Sequence, residues 1–378
     1  MKSLIFIVSL LLISTGLLAE IPQVVTIASI VETHYQNQDI FKTLFFIVLP
    51  MIGALTFITV LALTLVYLER KIAAHFQCRL GPMRVGFHGI LQPIADAIKL
   101  LNKEDLIPKD ADKLLHFIAP FIAMVGTVLG MVAIPFAPNI QVIDLDIGLL
   151  YLAAVSGIGV FAVLLAGWGS HNKWSLLGAM RAAAQLISYE LSITIVLVVV
   201  VLFTGSLKLS EIIYQQDSLW WIFKGHIVSV IAFFIFFTAS LAELNRTPFD
   251  LPEGEAELGA GFHTEYSGMR FSFFFLAEFI NMFLACALMT TIFFGGWLPF
   301  HIQGLDALNS VMDLLPPLAW FMLKTSTLIF LMMWIRWTFP RLRIDQLMKL
   351  EWKFLLPLGL INIVLAAIVV SFKWYFFA

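Results

Sequence analysis

The sequence predicts an all-α protein: a polytopic bundle of membrane-spanning helices. Three observations support this fold class. The 378-residue chain is 60% hydrophobic and only 13% charged, its mean hydropathy is +0.94, and its apolar runs repeatedly approach the roughly 20 residues that a helix needs to cross a bilayer. Soluble domains carry about 25% charged residues, so the composition excludes that class.

The N-terminal segment, residues 1–39, is treated apart from the membrane domain of residues 40–378. Leu4 to Ala19 form an apolar run after Lys2, which fits either a short extra span or a secretory signal. Leu17 is unsuited to the third position before a cut at Ala19, although a cut after Gly16 is allowed. We favour retention of the segment as an extra apolar helix.

Eight apolar runs in the membrane domain are long enough to span a bilayer as helices. No internal repeat is evident, and the two halves lack a matched pair of Gly- or Pro-broken helices, which disfavours an inverted-repeat transporter. A single helical bundle is the simplest architecture. The predicted spans lie near residues 42–68, 114–137, 147–168, 185–204, 220–242, 271–298, 317–338 and 354–376.

The distribution of Lys and Arg predicts the orientation of the bundle. If the loop after the first main span faces inward, 17 of the 23 basic residues lie at the inner side and four at the outer side. Cytoplasmic loops carry such an excess. The three loops with the most polar side chains are therefore expected to face the cytoplasm.

The first inner loop is ERKIAAHFQCRLGPMRVGFHGILQPIADAIKLLNKEDLIPKD. Gly and Pro interrupt its first part, and its later part is periodic. Its periodic part predicts a short amphipathic helix in the membrane interface, with Asp96, Lys99, Asn102 and Lys103 away from the apolar face. An ordinary surface connection is the alternative. The flanking spans favour the interfacial helix, because its apolar face needs lipid or a lipid-like ligand to cover it. The apolar face comprises Ile94, Ala97, Ile98 and Leu101.

Redox centres are not expected in this chain. Cys78 and Cys286 form no Cys-x-x-Cys pair, which argues against a disulfide framework, an iron–sulfur cluster and a thiolate zinc site. None of the eight histidines lies at the centre of an apolar run, where a membrane haem would need its ligands. We expect no bound cofactor, no metal and no nucleic-acid partner, and we expect the lipid bilayer as the surroundings.

Two acids lie inside predicted spans: Glu190 in QLISYELSITIV and Glu278 in FSFFFLAEFINMF. Both are expected on the order of 10 Å from the cytoplasmic helix end. A charged carboxylate costs roughly 2.5–3.5 kcal/mol at the centre of a span, so such groups usually face the bundle interior and mark proton or ion paths. A neutral acid, or a structural partner for Asn281 or Lys324, is the alternative. For Lys324, snorkelling and a buried role both stay open.

The third inner loop contains TPFDLPEGEAELGAG, with Glu253, Glu255 and Glu257 at alternate positions. Asp250 followed by Glu253 is a capping-box pattern, but it explains only two of the acids. Whether the segment is helical or extended, at least two of the glutamates share a face, and neighbouring carboxylates disfavour simultaneous ionisation. Interleaved apolar residues and glycines therefore indicate a half-buried loop in which the acids share protons.

Three segments carry a resemblance to a known family: RLGPMRVGFHGILQPIADAIKLLNKEDLIP, AGWGSHNKWSLLGAMRAAAQLISYE and AELNRTPFDLPEGEAELGAGFHTEYSGMRF. They resemble the membrane subunit that joins the two arms of respiratory complex I, called the H subunit in bacteria and subunit 1 in mitochondria. The resemblance covers roughly residues 40–376, and FMLKT and RWTFPRLRIDQLM support it.

The resemblance implies a membrane subunit of proton-pumping NADH-quinone oxidoreductase that forms much of the quinone-access chamber. Quinone is the substrate, while the FMN and the iron–sulfur clusters are expected in partner subunits. Partners are the hydrophilic subunits of the quinone site and the antiporter-like membrane subunits. The bacterial inner membrane is the expected location, in preference to the mitochondrial inner membrane.

The resemblance also assigns roles to residues. No catalytic residue is expected. The acids and one arginine of the quinone-linked proton route are Glu190, Glu243, Arg246, Asp250, Glu253, Glu255, Glu257, Glu265 and Glu278. The quinone-chamber residues are Arg70, Arg79, Gly81, Pro82, Arg84, Gln92, Pro93, Ile94, Asp96, Ile98, Lys99, Phe249 and Asp250.

His263 stands where the family often has Asn. As a histidine two residues before Glu265, it is a further candidate for the acid chain, although a hydrogen-bonded loop residue is the favoured interpretation.

Two rival functions stay open. Membrane-bound hydrogenases and other enzymes with non-NADH donors use subunits of this shape, but the EGEAELGAG loop and the long first loop favour the quinone-reacting version. A proton-coupled secondary transporter is the rival from a different class.

Overall fold

A computed structural model describes residues 40–138, 140–217, 219–251, 254, 259–301 and 306–374, and it describes 40–51 and 306–308 by their backbone only. These residues form helices joined by loops and turns, with one isolated β-bridge between Ala137 and Ile140. The predicted all-α class is confirmed. The helices are α1 (Ile40–Phe76), α2 (Gln92–Asn102), α3 (Lys113–Ala133), α4 (Gly148–Ser156), α5 (Ile158–Gly169), α6 (Lys173–Thr204), α7 (Leu209–Tyr214), α8 (Trp221–Lys224), α9 (His226–Glu243), α10 (Gly268–Phe293), α11 (Asp306–Met312), α12 (Pro317–Thr338), α13 (Ile344–Leu350) and α14 (Leu356–Ser371).

Eight segments within the described ranges are long and apolar enough to cross a membrane, which confirms the predicted core spans. Helices α4 and α5 together make one of them, and a π-helical stretch, Glu351–Leu355, joins α13 to α14 in the last. The predicted apolar helix at Leu4 to Ala19 lies outside the described residues. The segments are Ile52–Phe76, Lys113–Ala133, Gly148–Gly169, Lys173–Thr204, His226–Glu243, Gly268–Phe293, Pro317–Thr338 and Ile344–Ser371.

Helix α6 runs through the middle of the bundle and packs against α5, α9 and α14. Its first residue is Lys173, well before the predicted start of the fourth span at residue 185. The Asn172 side chain accepts a hydrogen bond from the Trp174 N–H and caps the helix. Small residues of the first turns, such as Ala179 and Ala182, are fully buried. Burial of this segment keeps it helical although its hydropathy is lower than that of a lipid-facing span.

Helix α2 is the amphipathic helix predicted in the first inner loop. It begins at Gln92, two residues before the predicted start, with Pro93 in its first turn, where proline is tolerated. Ile94 and Ile98 are about half exposed in this chain, at 45% and 53%. The apolar face therefore points away from the rest of the chain.

The three inner loops meet at one end of the bundle, which we call the loop end. The Asp112 N–H donates to the Gly169 carbonyl (3.0 Å), and the Asn172 amide donates to Glu265 (2.6 Å). The Leu106 N–H donates to the Ser267 hydroxyl (3.0 Å). These bonds connect the first, second and third inner loops directly.

Lys324 takes the buried role and does not snorkel. Its side chain is 8% exposed, and Nζ donates to the carbonyls of Phe294, Gly296 and Leu298 just beyond the end of α10. The ammonium group also lies 4.2 Å from the centre of the Trp220 ring. It therefore satisfies backbone carbonyls that the helix end leaves without partners.

Replacing Gly178 by alanine tests the contact between α6 and the third loop. The new Cβ would lie 2.8 Å from Gly261 Cα, and because backbone cannot move aside easily, we expect destabilisation of about 1–3 kcal/mol. Thermal unfolding of the purified protein in detergent measures it as a lower Tm. Gly53→Ala, which meets no atom within 4 Å, is the control. Equal Tm values for the two variants would contradict the prediction.

Candidate functional site at the loop end of the bundle

Four charged side chains form a buried cluster near the loop end. Arg246 lies at its centre and is 2% exposed. Its Nη1 donates to Glu69 Oε2 (2.8 Å) and its Nε contacts Glu278 Oε1 (2.7 Å). Arg336 forms an ion pair with the other oxygen of Glu69. Two acids and two arginines make the cluster formally neutral, which a low-dielectric interior requires.

The position of Arg246 follows from the short turn after α9. The Gln185 amide of α6 donates to the carbonyls of Ala242 (2.7 Å) and Phe249 (2.8 Å), on either side of the turn. The Arg246 guanidinium carbon lies 4.5 Å from the centre of the Phe279 ring, a cation–π contact. The arginine is therefore held by both its backbone and its side chain.

A cavity of about 100 Å³ lies beside the cluster and is lined by three of the predicted acids, Glu190, Glu243 and Glu278. A second cavity, of about 120 Å³, shares Glu243 and Asn281 with the first. It is lined by outer-half residues such as Leu197 of α6. Cavities of this size that are lined by polar groups can hold water molecules.

Glu190 lies farther from the loop-end start of its helix than predicted. It is the eighteenth residue of α6, about 25 Å along the helix from Lys173, whereas Glu278 is about 15 Å from Gly268. The predicted 10 Å for Glu190 was wrong because α6 begins before residue 185. Its Oε1 accepts a hydrogen bond from the Ser156 hydroxyl (3.2 Å), close to the break between α4 and α5.

The ion-pair partner of Glu278 is Arg246, and not Asn281 or Lys324, the alternatives that the sequence left open. Lys324 donates to backbone carbonyls instead. By contrast, no Lys or Arg lies within ion-pair distance of Glu190 or Glu243 among the described residues. Within the described structure, the cavity therefore brings together one acid that is paired with a cation and two that are not.

Two other predicted members of the acid chain, Asp250 and Glu265, are not among the residues that line this cavity. Asp250 pairs with Arg341 (2.7 Å), and Glu265 accepts from Asn172 (2.6 Å). His263, for which a loop role was favoured, does line the cavity and packs on Phe262 and Phe274. Glu253, Glu255 and Glu257 lie outside the described residues.

The predicted quinone-chamber residues lie mainly on or beside α2. Asp96 forms an ion pair with Arg70 of α1 and accepts from Gln92 (3.3 Å), and Lys99 is 3.7 Å away. Phe249 is buried, with its ring centre 5.8 Å from that of Tyr189.

Other chamber candidates come from the irregular part of the first loop. Arg79 and Arg84 are exposed. A Cβ at Gly81 would lie 3.1 Å from the Lys71 side chain, and Pro82 places its carbonyl against Gly89, which has a positive φ. The loop is therefore closely folded on itself, with its arginines outward.

Sequence reasoning missed Glu69 and the pairing of Arg336. Glu69 belongs to ERK at the end of a span, a pattern typical of an interfacial residue. The missed signal is its register on α1, because it continues the buried face of Ile58, Ala62 and Leu65. A carboxylate in line with core positions requires a buried cation.

The fold and the site define a helical, multi-pass membrane protein in which paired charges adjoin an acid-lined cavity. The family model described as NADH dehydrogenase matches residues 49–367. The H subunit of NADH-quinone oxidoreductase from Bacteroides thetaiotaomicron is 52% identical over 317 residues, which cover 84% of this chain and 88% of the relative.

Other bacteria have similar proteins. The H subunit of Brevibacillus brevis is 49% identical over 82% of this chain and 88% of its own length, and an H subunit of Geobacter sulfurreducens is 47% identical over 81% and 90%. The chain therefore belongs to the family of NADH-quinone oxidoreductase H subunits, and it is a membrane subunit of that enzyme complex.

Replacing Glu69 by glutamine tests the buried cluster. The change leaves Arg246 and Arg336 with one counter-charge fewer, and we expect destabilisation of about 3–5 kcal/mol, as for other broken buried ion pairs. Thermal unfolding of the purified complex measures it. Adding Arg336→Met should recover part of the loss, with a coupling of about 0.5–3 kcal/mol. Glu211→Gln, at an exposed acid bonded to Ser206, is the control, and strictly additive effects would disprove the coupling.

Proposed function

We propose that this chain forms the quinone-access chamber where the hydrophilic arm meets the membrane, and that its glutamates couple quinone reduction to proton translocation. The observation that carries the proposal is the cavity in which Glu190, Glu243 and Glu278 meet. Acids at this depth are costly to keep unless they serve a transport path or a structural ion pair. Of these three acids, only Glu278 has such a pair within the described structure.

The tail of the quinone is proposed to enter along α2. Ile94, Ile98 and Leu101 expose an apolar face that an isoprenoid chain can cover. Arg79 and Arg84 are exposed in the preceding loop, where they are suited to contact an acidic surface of a partner subunit. The proposal also includes the location and the partners of the chain. The location is the bacterial inner membrane, and the partners are the antiporter-like subunits and the hydrophilic subunits with FMN and iron–sulfur clusters.

The coupling step is electrostatic. Quinone takes up two electrons and two protons to become quinol, and its anionic forms disfavour negative charge on nearby carboxylates. At an effective dielectric constant of about 20, two unit charges roughly 8 Å apart interact by about 2 kcal/mol. That energy is sufficient to move a proton from one acid to the next. The ion pair of Glu278 with Arg246 then connects such a change to the buried cluster.

Glu190→Gln is the direct test. The amide keeps the hydrogen bond with Ser156 but cannot carry a proton, so inhibitor-sensitive NADH:quinone reduction and the membrane potential should fall together. We expect a loss of roughly 10- to 100-fold, at or below the low end of what a positioned proton-transfer group contributes. NADH oxidation by an artificial acceptor should survive, because it bypasses the membrane subunit. Glu211→Gln is the control, and unchanged quinone reduction and membrane potential in Glu190→Gln would overturn the proposed role.

The loop acids have a test of their own. Glu255→Gln combined with Glu257→Gln removes two proton carriers from the third loop, so fewer protons should be pumped per NADH oxidised or pumping should slow. Proton uptake measured alongside NADH oxidation in closed vesicles separates the two effects. Full stoichiometry at the full rate would remove this loop from the route.

A further inference from the structure

Helix α2 is held at its C-terminal end by the residues that start α10. The Leu106 N–H donates to the Ser267 hydroxyl (3.0 Å), which in turn donates to the Glu104 carbonyl (3.2 Å). Gly268 has φ +56°, and a Cβ there would lie 3.2 Å from the Lys103 carbonyl. Glycine suits this position, because φ is positive and a side chain would crowd the Lys103 carbonyl.

Arg270 adds a charged contact one turn along. Its Nε lies 3.0 Å from Asp105 in the segment that follows α2. Its Nη1 donates to His116 Nδ1 (3.0 Å), since a guanidinium has no acceptor. The His116 ring stacks on Tyr266 at 4.1 Å. One side chain therefore ties the end of the first loop to α3 and α10.

The N-terminal half of α2 is tied to a different helix. Asp96 pairs with Arg70 of α1, and the residue before Arg70 is Glu69, which belongs to the buried cluster. Helix α10 reaches the same cluster, because Glu278 lies on it about 15 Å from Gly268. Helix α2 is thus bonded to α1 and to α10, the two helices that supply the acids of the cluster.

We propose that Ser267, Gly268 and Arg270 are positioning residues that hold α2 over the path of the quinone tail and pass its displacement along α10 to the Glu278–Arg246 pair. We call these three residues the α2 clamp. The inference rests on the proposed function and extends it to residues with no expected part in quinone binding. The quinone tail displaces α2. Helix α10 transmits this displacement to Glu278, because it is continuous from the α2 clamp to that residue.

Arg270→Gln tests the α2 clamp in membranes that contain the assembled complex. KM for a quinone with a long isoprenoid tail should rise about five- to tenfold, as expected when one charge-assisted contact is lost. KM for a short-tailed soluble quinone should change less than about twofold, since most of its contacts lie beyond α2. Protons pumped per long-tailed quinone reduced should fall. A purely structural defect would shift both KM values alike and overturn the proposal.

Conservative and coupled variants sharpen the test. Arg270→Lys keeps a charge beside Asp105 and should restore the KM for the long-tailed quinone. Asp105→Asn should raise that KM, and adding Arg270→Gln should raise it little further, because both changes remove one contact. Additive effects would contradict the clamp. If Arg270→Gln fails to assemble, Ser267→Ala removes two hydrogen bonds and should give the same split between the two quinones.

The matched control is the Lys208–Asp144 pair (3.1 Å) in the outer loops. The hydrogen bond and the charge of Asp144 raise the pKa of Lys208, so Asp144→Asn breaks an ionised pair of the same kind and should leave both KM values unchanged. Glu190→Gln in the same preparation separates two failures. If it abolishes pumping while Arg270→Gln changes neither KM, only the clamp is wrong. If Glu190→Gln has no effect, the proposed function fails.

Discussion

The arrangement of the loop end depends on keeping Arg246 paired while it is out of water. A buried guanidinium without partners costs several kcal/mol, so its position is stable only with Glu69 and Glu278 beside it. Those acids come from α1 and α10, and Arg336 of α12 contacts Glu69 as well. Four distant parts of the chain are thereby required to meet at one point. The cavity and the start of the third loop lie beside this point.

The acids of the cavity divide by their surroundings. Glu278 has a fixed cation, whereas Glu190 has the hydroxyl of Ser156 and Glu243 has no basic neighbour in the described structure. Neighbouring acids in unequal surroundings are what a directional transfer of protons needs, because equal sites would give it no preferred order.

Much of the fold could be predicted from the sequence, because apolar length alone determines where a chain crosses a bilayer. The start of α6 could not, since residues near Gly178 are helical through burial against the third loop and not through hydropathy. In the site, Glu190 and Glu278 were conspicuous as acids inside apolar runs. Glu69 was not, because its partners Arg246 and Arg336 are 177 and 267 residues away and only the folded bundle brings them together.

The depth of Glu190 has an electrical consequence. Moving one charge across a whole membrane at 100 mV involves about 2.3 kcal/mol of work, and Glu190 lies roughly half-way along a helix that spans it. In the proposed route, a proton that reaches this acid from the loop end crosses part of the voltage drop, up to about 1 kcal/mol per 100 mV. The transmembrane voltage would then act directly on the proton occupancy of Glu190, and an energised membrane would oppose or assist its protonation without any change in structure.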